Sequence, residues 1–319
     1  PRVSPIVHQQ WVRRLPNHAK LGTDFMQTAL LPPVGDEQPL VRTYLEHFLR
    51  DAENEDAFRE YLQPEYVRRV FAETKLLAGI GDADQWYRML SASERQAIRD
   101  SIQLRLAAQN QIRFSSNEPT ELLVDVKNIQ DLVVRIYEIN TLSYYRTHDK
   151  AIDTDIDLDG LVATHEKTLT YHQSAVQRHR ESLRLDEISG RGVWIVDLVG
   201  KGVRARALVR RGALHHVDSE SADGMVFTII NENREVVPRA TMLVGSREFV
   251  AGDDGIIVLP PVADQVNRRA IISDGSLAEP IQFRHLRERY SLTAGMHVDR
   301  TQIQSGRTAE ILIRPQLTM

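Results

Sequence analysis

The sequence contains no cysteine. Disulfide bonds, a cysteine nucleophile, thiolate zinc sites and iron–sulfur clusters held by this chain are therefore excluded, because each of them needs a thiol. The lack of cysteine does not fix the compartment, since exported proteins can also lack it.

Long apolar runs are missing as well. No uninterrupted apolar stretch approaches the roughly 20 residues that a bilayer-spanning helix needs, and the first thirty residues lack the apolar centre of a signal peptide. We therefore expect no membrane span. The chain begins at Pro1 without a methionine, which indicates a processed product or an excised piece of a larger protein.

The chain also has little excess charge of either sign. Forty basic side chains against forty-four acidic ones leave a formal charge of -4. This charge is too small, and of the wrong sign, to predict a nucleic-acid partner. The hydrophobic fraction of 42% and the charged fraction of 26% are typical of a soluble globular protein.

Catalytic signatures are absent. The sequence has no G-x-S-x-G elbow, no H-E-x-x-H, no G-x-x-x-x-G-K-[ST] phosphate loop and no G-x-G-x-x-G after a strand. We therefore predict that the chain is not an enzyme. One alternative is a hydrolase in which two carboxylates of the row Asp153, Asp155, Asp157 and Asp159 act as acid and base, although only 6% of residues are aromatic and no sugar platform is evident.

What is present indicates several domains, since 319 residues exceed one ordinary core. Between residues 37 and 111 the apolar residues recur at helical spacing, and Ser91 with Glu94 has the spacing of a capping box. These features predict a four-helix bundle. Residues 1–36 contain five prolines and are predicted to form an extended N-terminal arm.

After Pro119 the period becomes two and β-branched residues dominate. ELLVDV and DLVVRIYEI are predicted to form a hairpin that turns at Asn128, and GVWIVDLV and VRARALVR a second hairpin around Gly200–Gly202. Short strands at close spacing predict antiparallel sandwiches. We expect an α+β multidomain chain: the helical bundle, then β-sandwiches at 112–214 and 222–317, joined by the linker HHVDSESADG.

The strand segments resemble a known fold family. TIINEN, VVPRAT and AGDDGIIVLP, together with DVKNIQDLVVRIYEIN and GVWIVDLVGKGVRARALVR, are similar to the macroglobulin-like and transthyretin-like β-sandwich domains of large bacterial alpha-2-macroglobulin-type proteins. The resemblance implies an immunoglobulin-like sandwich fold, a modular parent protein and an extracytoplasmic location. It does not imply the trapping chemistry of that family, whose thioester needs a cysteine.

One acidic segment matches a calcium loop. In DIDLDGLVATHE the residues Asp155, Asp157, Asp159 and Glu166 occupy the ligand positions of an EF-hand, and Gly160 occupies the turn. The upstream sequence lacks an amphipathic helix, and positions 2 and 4 are apolar. The favoured interpretation is a solvated acidic strand and turn of the first sandwich, with calcium binding in a sandwich loop as the alternative.

The densest basic cluster consists of Lys201, Arg204, Arg206, Arg210 and Arg211. If the strand alternation holds, the three arginines at even positions share one face. Such a ladder is a candidate interaction patch for an acidic partner, including the acidic row of the same domain. The alternative is a charged edge strand that blocks edge-to-edge pairing.

The sequence thus predicts a non-catalytic interaction or scaffold segment of a larger modular protein. Its expected partners are other proteins, or other domains of its parent chain, and no cofactor is expected unless calcium binds. A calcium-dependent binding module is the first alternative, and a carboxylate-dependent hydrolase is the second.

Overall fold

The computed structural model describes residues 37–221, 223–287 and 291–318. The predicted extended arm, 1–36, lies outside the described residues. The helices of the first part are α1 (Glu37–Asp51), α2 (Asp56–Arg59), α3 (Pro64–Ala78), α4 (Ala83–Arg88) and α5 (Ala92–Asp100). A further helix, α6 (Thr141–Thr147), and a 3-10 turn (Arg300–Gln302) lie among the strands. None of the described helices is long and apolar enough to cross a membrane.

Local chemistry explains where these helices begin and end. Pro64 occupies the first turn of α3, where its missing N–H costs nothing, and Gly79 ends the helix with a φ of 66°. Ser91 and Glu94 form the predicted capping box at the start of α5. The helices pack around their own apolar cluster, in which Leu49 and Val67 are fully buried.

The change from helix to strand comes earlier than residue 112. Helix α5 ends at Asp100, and the next residues form strand β1 (Gln103–Leu106), which pairs with β3 (Glu121–Lys127). The prediction of a helical segment that extends to residue 111 is therefore wrong. The segment QLRL alternates in burial and inserts Leu104 into the sandwich core, as a strand with one buried face does.

The other strands of the first sandwich are β2 (Arg113–Phe114), β4 (Asp131–Ile139), β5 (His165–Thr170), β6 (Arg178–Arg184), β7 (Gly192–Gly200) and β8 (Val203–Arg211). One sheet has the order β1-β3-β6 and the other has the order β2-β8-β7-β4-β5. All pairs are antiparallel except β2 with β8. The predicted α+β architecture of helices followed by sandwiches is confirmed.

One of the two predicted hairpins is present in the structure and the other is not. Strands β7 and β8 do form one, and Lys201 and Gly202 turn it with φ values of 46° and 81°. Strands β3 and β4 do not pair with each other, because the chain crosses at Asn128 from one sheet to the other. Val126 of one sheet and Val134 of the other both belong to the buried core between the sheets.

The second sandwich contains β9 (Leu214–Ser221), β10 (Gly224–Asn231), β11 (Thr241–Val244), β12 (Arg247–Val250), β13 (Ile256–Leu259), β14 (Val266–Ser273) and β15 (Ala278–His285). Its sheets have the orders β13-β10-β9 and β12-β11-β14-β15. The linker predicted at HHVDSESADG is wrong for its first part, which forms β9. This strand lies at a sheet edge and is mostly exposed, so its polar sequence is compatible with pairing.

The second sandwich was expected to extend to 317. The last strands instead form a separate hairpin of β16 (Ser291–Val298) and β17 (Ile311–Thr318). Within the described residues these strands pair only with each other.

The two sandwiches share one apolar core. Tyr145 and Ile195 of the first lie in the same buried cluster as Phe227 and Met242 of the second. Strand β7 is buried on both faces, because Trp194 points into the first sandwich and Ile195 into this shared cluster. The junction is therefore packed like a domain interior.

A buried ion cluster supports the same junction. Arg191, between the two parts, lies 2.6 Å from an Oε2 of Glu232 and 2.9 Å from an Oδ2 of Asp274, and it also donates to the Ala213 carbonyl. All three charged side chains are largely buried. Because a bidentate or forked guanidinium holds its partners in fixed directions, this cluster fixes the orientation of the sandwiches.

The helices are joined to the first sandwich by a buried lysine. The Lys127 Nζ donates to the Ile98 carbonyl at 2.5 Å, and to the carbonyl and Oγ of Ser101 at 2.7 and 2.9 Å. These acceptors belong to the last turn of α5 and to Ser101, the residue that caps it, where carbonyl groups lack helical partners. Burial lowers the pKa of Lys127 to about 8.

Candidate interaction groove

A groove of about 880 Å³ lies between helices α1 and α3 and the outer face of the sheet β1-β3-β6. Its helical wall comes mainly from α1, and its floor comes from the three strands. The charged and imidazole side chains that line it are Arg42, Glu46, His47, Arg50, Arg105, Asp125, Arg178, His179 and Arg180.

Strand register places the floor residues in one row. Arg105 of β1 lies opposite Asp125 of β3, which lies opposite Arg180 of β6. Arg180 makes a forked pair with the Asp125 carboxylate, at 2.7 and 2.9 Å. Arg105 is exposed and has no ion pair or hydrogen bond to the side chains that the structure describes. The row thus presents one guanidinium without a carboxylate partner.

The helical wall is tied to the floor by ion pairs. Arg178 of β6 lies 3.1 Å from Glu46 of α1, and Arg42 lies 3.0 Å from the same carboxylate and 2.5 Å from Glu73. Burial raises the pKa of Glu73, against the attraction of Arg42 and Arg69. The Arg178–Glu46 pair therefore holds α1 against the sheet, and the Arg42–Glu73 pair holds α1 against α3.

The charge of the groove is positive. The lining contains five arginines and two carboxylates, Glu46 and Asp125, which leaves an excess of three positive charges. Glu73, which does not line the groove, neutralises part of the charge of Arg42. The chain as a whole is acidic, at -4. The groove is therefore a local basic surface on an acidic protein, suited to carboxylate-bearing partners.

One of the two histidines that line the groove, His179, lacks hydrogen-bond partners among the residues that the structure describes. Both ring nitrogens of His179 are buried without a hydrogen-bond partner among the described atoms, and the nearest carboxylate oxygen, of Glu181, is 3.5 Å away. The ring packs edge-on against Tyr171, with centroids 4.9 Å apart. Burial raises the pKa of that tyrosine to about 12, so its hydroxyl stays neutral.

In the basic patch predicted at Lys201, Arg204, Arg206, Arg210 and Arg211, the first two residues are exposed and Arg206 is half-buried. Arg210 and Arg211 are buried. Arg211 donates to Gly190, Thr120 and Ser116, and Arg204 and Arg206 both pair with the buried Asp197, at 2.9 and 3.2 Å. The Lys201 Nζ donates to Asn128 at 2.6 Å. The guanidinium groups compensate charges and carbonyl groups inside the fold, which the strand pattern alone does not reveal.

The arginine ladder does reach the acidic segment of its own domain. The Arg206 Nη1 donates to the carbonyl groups of Thr154 and Ile156, at 3.2 and 3.0 Å. The Arg210 Nη2 donates to the Ile152 carbonyl at 3.0 Å. The contacts use backbone oxygens rather than the carboxylates.

The predicted calcium ligands lie in turns and on a strand. The Asp157 carboxylate accepts the backbone N–H of Asp159 at 2.9 Å, and Asp153 accepts that of Asp155 at 3.0 Å. Glu166 lies in β5 and pairs with Arg135 at 2.7 Å. No group of three or more acidic or histidine side chains in the described ranges could hold a metal ion. Calcium binding stays a prediction.

Positions 2 and 4 of this segment have a structural role. Leu158 is buried in the core shared by the sandwiches, and Ile156 packs against it. The segment therefore forms two turns anchored by apolar side chains, and not the half-buried strand that the alternation suggested.

The groove was missed by the sequence reasoning. Its residues come from positions between 39 and 180, so no local motif contains them. The one available signal was RHRESLR, in which Arg178, Arg180 and Arg184 alternate along β6 and mark one basic strand face.

Comparisons with known proteins agree with this architecture. Residues 1–102 match the family model described as the Actin-binding protein F N-terminal domain, and residues 132–212 match that of the AbpF first immunoglobulin-like domain. The predicted immunoglobulin-like sandwich resemblance is thus confirmed. Actin-binding protein F of Dictyostelium discoideum is 24% identical over 291 residues, which cover 88% of this chain and 12% of that protein.

The solved structures that this chain matches include two fragments of native alpha-2-macroglobulin from Escherichia coli. Both are 10% identical, with TM-scores of 0.36 and 0.35, and they cover 56% and 57% of this chain and 63% and 98% of their own chains. Over most of its length, the chain is thus similar to a small part of a much longer protein.

Proposed function

We propose that this chain is a non-catalytic interaction segment that binds an acidic protein surface in the arginine-lined groove, and that the partner is filamentous actin. The groove's excess of positive charge is the observation that carries the proposal. The choice of actin rests on the name of the relative, Actin-binding protein F, which matches 88% of this chain.

Arginine suits this role. A guanidinium presents several N–H donors in a planar fork that matches a carboxylate, and it stays charged at any physiological pH. Arg50 and Arg105 are both exposed and have no carboxylate partner among the described side chains. They can therefore pair with a partner without breaking a bond of the folded chain.

The sandwiches supply a rigid support for the groove. The shared core and the Arg191 cluster fix the two sandwiches to each other, and Lys127 fixes α5 to the first of them. A rigid support lowers the entropy that is lost on binding. This agrees with a scaffold role better than with a mobile tether.

Co-sedimentation of the 319-residue chain with filamentous actin tests the proposal. We expect the wild-type chain to pellet with the filaments, and Arg105→Glu to weaken binding about tenfold, since it removes one attraction and adds one repulsion. The matched control is Arg247→Glu, an exposed arginine of β12 in the second sandwich, which should bind as the wild type does.

Two results would refute the proposal. One is a wild-type chain that stays in the supernatant at every filament concentration. The other is equal loss of binding in the Arg105 and Arg247 variants, because it would show a general charge effect rather than a groove.

A further inference from the structure

Four aspartates of the chain are followed directly by glycine. An aspartate in this setting can convert into isoaspartate without an enzyme, because glycine has no Cβ to shield its backbone nitrogen and adopts conformations that other residues avoid. The reaction needs an accessible carboxyl group and a glycine N–H that is free to lose its proton. The four pairs are Asp159–Gly160, Asp223–Gly224, Asp254–Gly255 and Asp274–Gly275.

Three of the four glycines are protected in the folded chain. The Gly255 N–H donates to the Gly252 carbonyl at 3.1 Å, and Gly255 is buried. The Gly275 N–H donates to the Oγ of Ser273, also at 3.1 Å. Gly224 is buried. Each of these nitrogens must lose a hydrogen bond or leave the interior before it can react, which requires local unfolding.

The carboxylates of two of these pairs are held as well. Asp274 accepts the Leu277 N–H at 2.7 Å and lies 2.9 Å from the Arg191 guanidinium. Asp254 accepts the Ile256 N–H at 3.1 Å. A carboxylate held in this way must give up its donors before its carbon can meet the nitrogen of the next residue.

The pair Asp159–Gly160 has neither form of protection. Both residues are exposed. Among the described atoms, the Asp159 carboxylate accepts no hydrogen bond and the Gly160 N–H donates none, although the Asp159 N–H donates to Asp157. Gly160 has a φ of 83°, and a Cβ built there would meet no atom within 4 Å. The pair thus combines an accessible carboxyl group, a free N–H and open space around both.

We propose that Asp159 is a site of spontaneous isoaspartate formation in the folded protein. The Gly160 nitrogen loses its proton and attacks the Cγ of the protonated Asp159 carboxyl group. A C–N bond forms, a C–O bond breaks and one water leaves, which closes a succinimide ring. A second water opens this ring at either carbonyl group. Opening at Cγ restores aspartate, whereas opening at the α-carbonyl group leaves the backbone running through Cγ, which is isoaspartate.

The change alters a segment that is anchored in the core. Isoaspartate adds one carbon atom to the backbone and leaves the α-carboxylate as a side group. Leu158 is buried in the core shared by the sandwiches, and Ala163 packs against the same core. The Leu161 N–H donates to the Leu158 carbonyl across the turn, at 3.0 Å. Because a longer backbone cannot keep this turn and both anchors unchanged, isoaspartate at 159 should loosen the segment on the shared core.

Peptide mapping of the 319-residue chain tests the proposal. Native chain and chain unfolded in guanidinium chloride are incubated in the same mildly acidic buffer, and isoaspartate is measured in tryptic peptides by mass spectrometry with electron-transfer fragmentation. Arginine or lysine residues separate the four pairs, so each falls in its own peptide. In the native chain Asp159 should react at least about tenfold faster than Asp254 and Asp274, because those two need local unfolding. In the unfolded chain all four pairs should react at similar rates.

A matched pair of variants identifies the residue. Asp159→Glu keeps the charge but would have to close a larger ring, which is far slower, so isoaspartate should disappear from peptide 151–167. Asp155→Glu changes an exposed aspartate of the same peptide that precedes isoleucine, and it should leave the isoaspartate unchanged.

Isoaspartate that accumulates at Asp159 in the native chain, and is lost only in Asp159→Glu, supports the proposal. A native chain whose Asp159 stays unmodified while the unfolded chain reacts overturns it. Equal rates at all four pairs of the native chain also overturn it, because the fold would then not select the site.

Discussion

Replacing Lys127 by methionine tests the joint between the helices and the first sandwich. Methionine keeps most of the volume of the side chain and removes the ammonium, which donates three hydrogen bonds to the last turn of α5 and the following serine. Hydrogen bonds from a charged group contribute about 1.5 to 3 kcal/mol each. Burial and then the repulsion by Lys201 lower the pKa of Lys127 from 10.5 to about 8, an unfavourable contribution on the order of 3 kcal/mol that the variant removes.

The three lost hydrogen bonds, less the cost that the variant removes, predict that Lys127→Met loses about 1.5 to 6 kcal/mol of stability at pH 7. Urea unfolding followed by tryptophan fluorescence measures it, since Trp86 lies in the helical cluster and Trp194 in the sandwich core. The matched control is Lys150→Met, an exposed lysine whose loss should change stability by less than about 0.5 kcal/mol. If Lys127→Met is as stable as Lys150→Met, the claim that Lys127 holds α5 to the first sandwich is wrong.

The stability difference between the wild type and Lys127→Met also depends on pH. The folded pKa of Lys127, about 8, lies below its unfolded value of 10.5, so between these pH values the unfolded chain binds the extra proton. Stability from this group therefore rises with pH across that window. The difference in unfolding free energy between wild type and Lys127→Met should widen from pH 8 to pH 10.5. A difference that narrows would contradict the burial of this lysine.

Other predictions concern the remaining charged clusters. Asp197→Ala leaves two arginines facing an apolar residue and should destabilise the chain by about 3 kcal/mol in a thermal or urea melt; a loss below about 0.5 kcal/mol would show that the arginines find other partners. Arg191→Met leaves Glu232 and Asp274 without their ion-pair partner and should split calorimetric unfolding into two transitions. A single transition at the wild-type temperature would contradict the claim that the Arg191 cluster holds the two sandwiches together. A thermal melt with millimolar calcium against chelator tests the calcium prediction, which requires Glu166 to leave its pair with Arg135: an unchanged melting temperature would contradict calcium binding, and a rise would support it.

Local chemistry was readable from the sequence. The capping box of Ser91 and Glu94 and the β7–β8 turn at Lys201–Gly202 depend on a few adjacent residues, so their sequence patterns predicted them correctly. The order of helices followed by antiparallel sandwiches followed from the change of period. These features need no knowledge of distant contacts.

Pairing between distant segments was not readable in the same way. The alternation in β3 and β4 predicts strands, but it is the same whether they pair in one sheet or face each other across a core. The sequence of strand β9 predicts a linker, because an exposed edge strand can be as polar as a linker. In both cases tertiary position, and not local propensity, decided the outcome.

Charged residues were the least predictable part. The arginines of β8 looked like a surface patch, yet the buried Asp197 lies on the neighbouring strand and neutralises two of them. The groove combines α1 with three strands, and its basic character emerges only when Arg105 and Arg180 are brought into one row. The sequence thus contained the charges but not their arrangement.

Hydrogen–deuterium exchange of the chain saturated with filamentous actin tests the central claim most directly. If the groove is the contact surface, the backbone amides of β1 and β6 and of the groove side of α1 should become protected, while those of β11 to β15 in the second sandwich should exchange as in the free chain. Protection confined to the second sandwich, or no protection anywhere in the chain, would contradict the account.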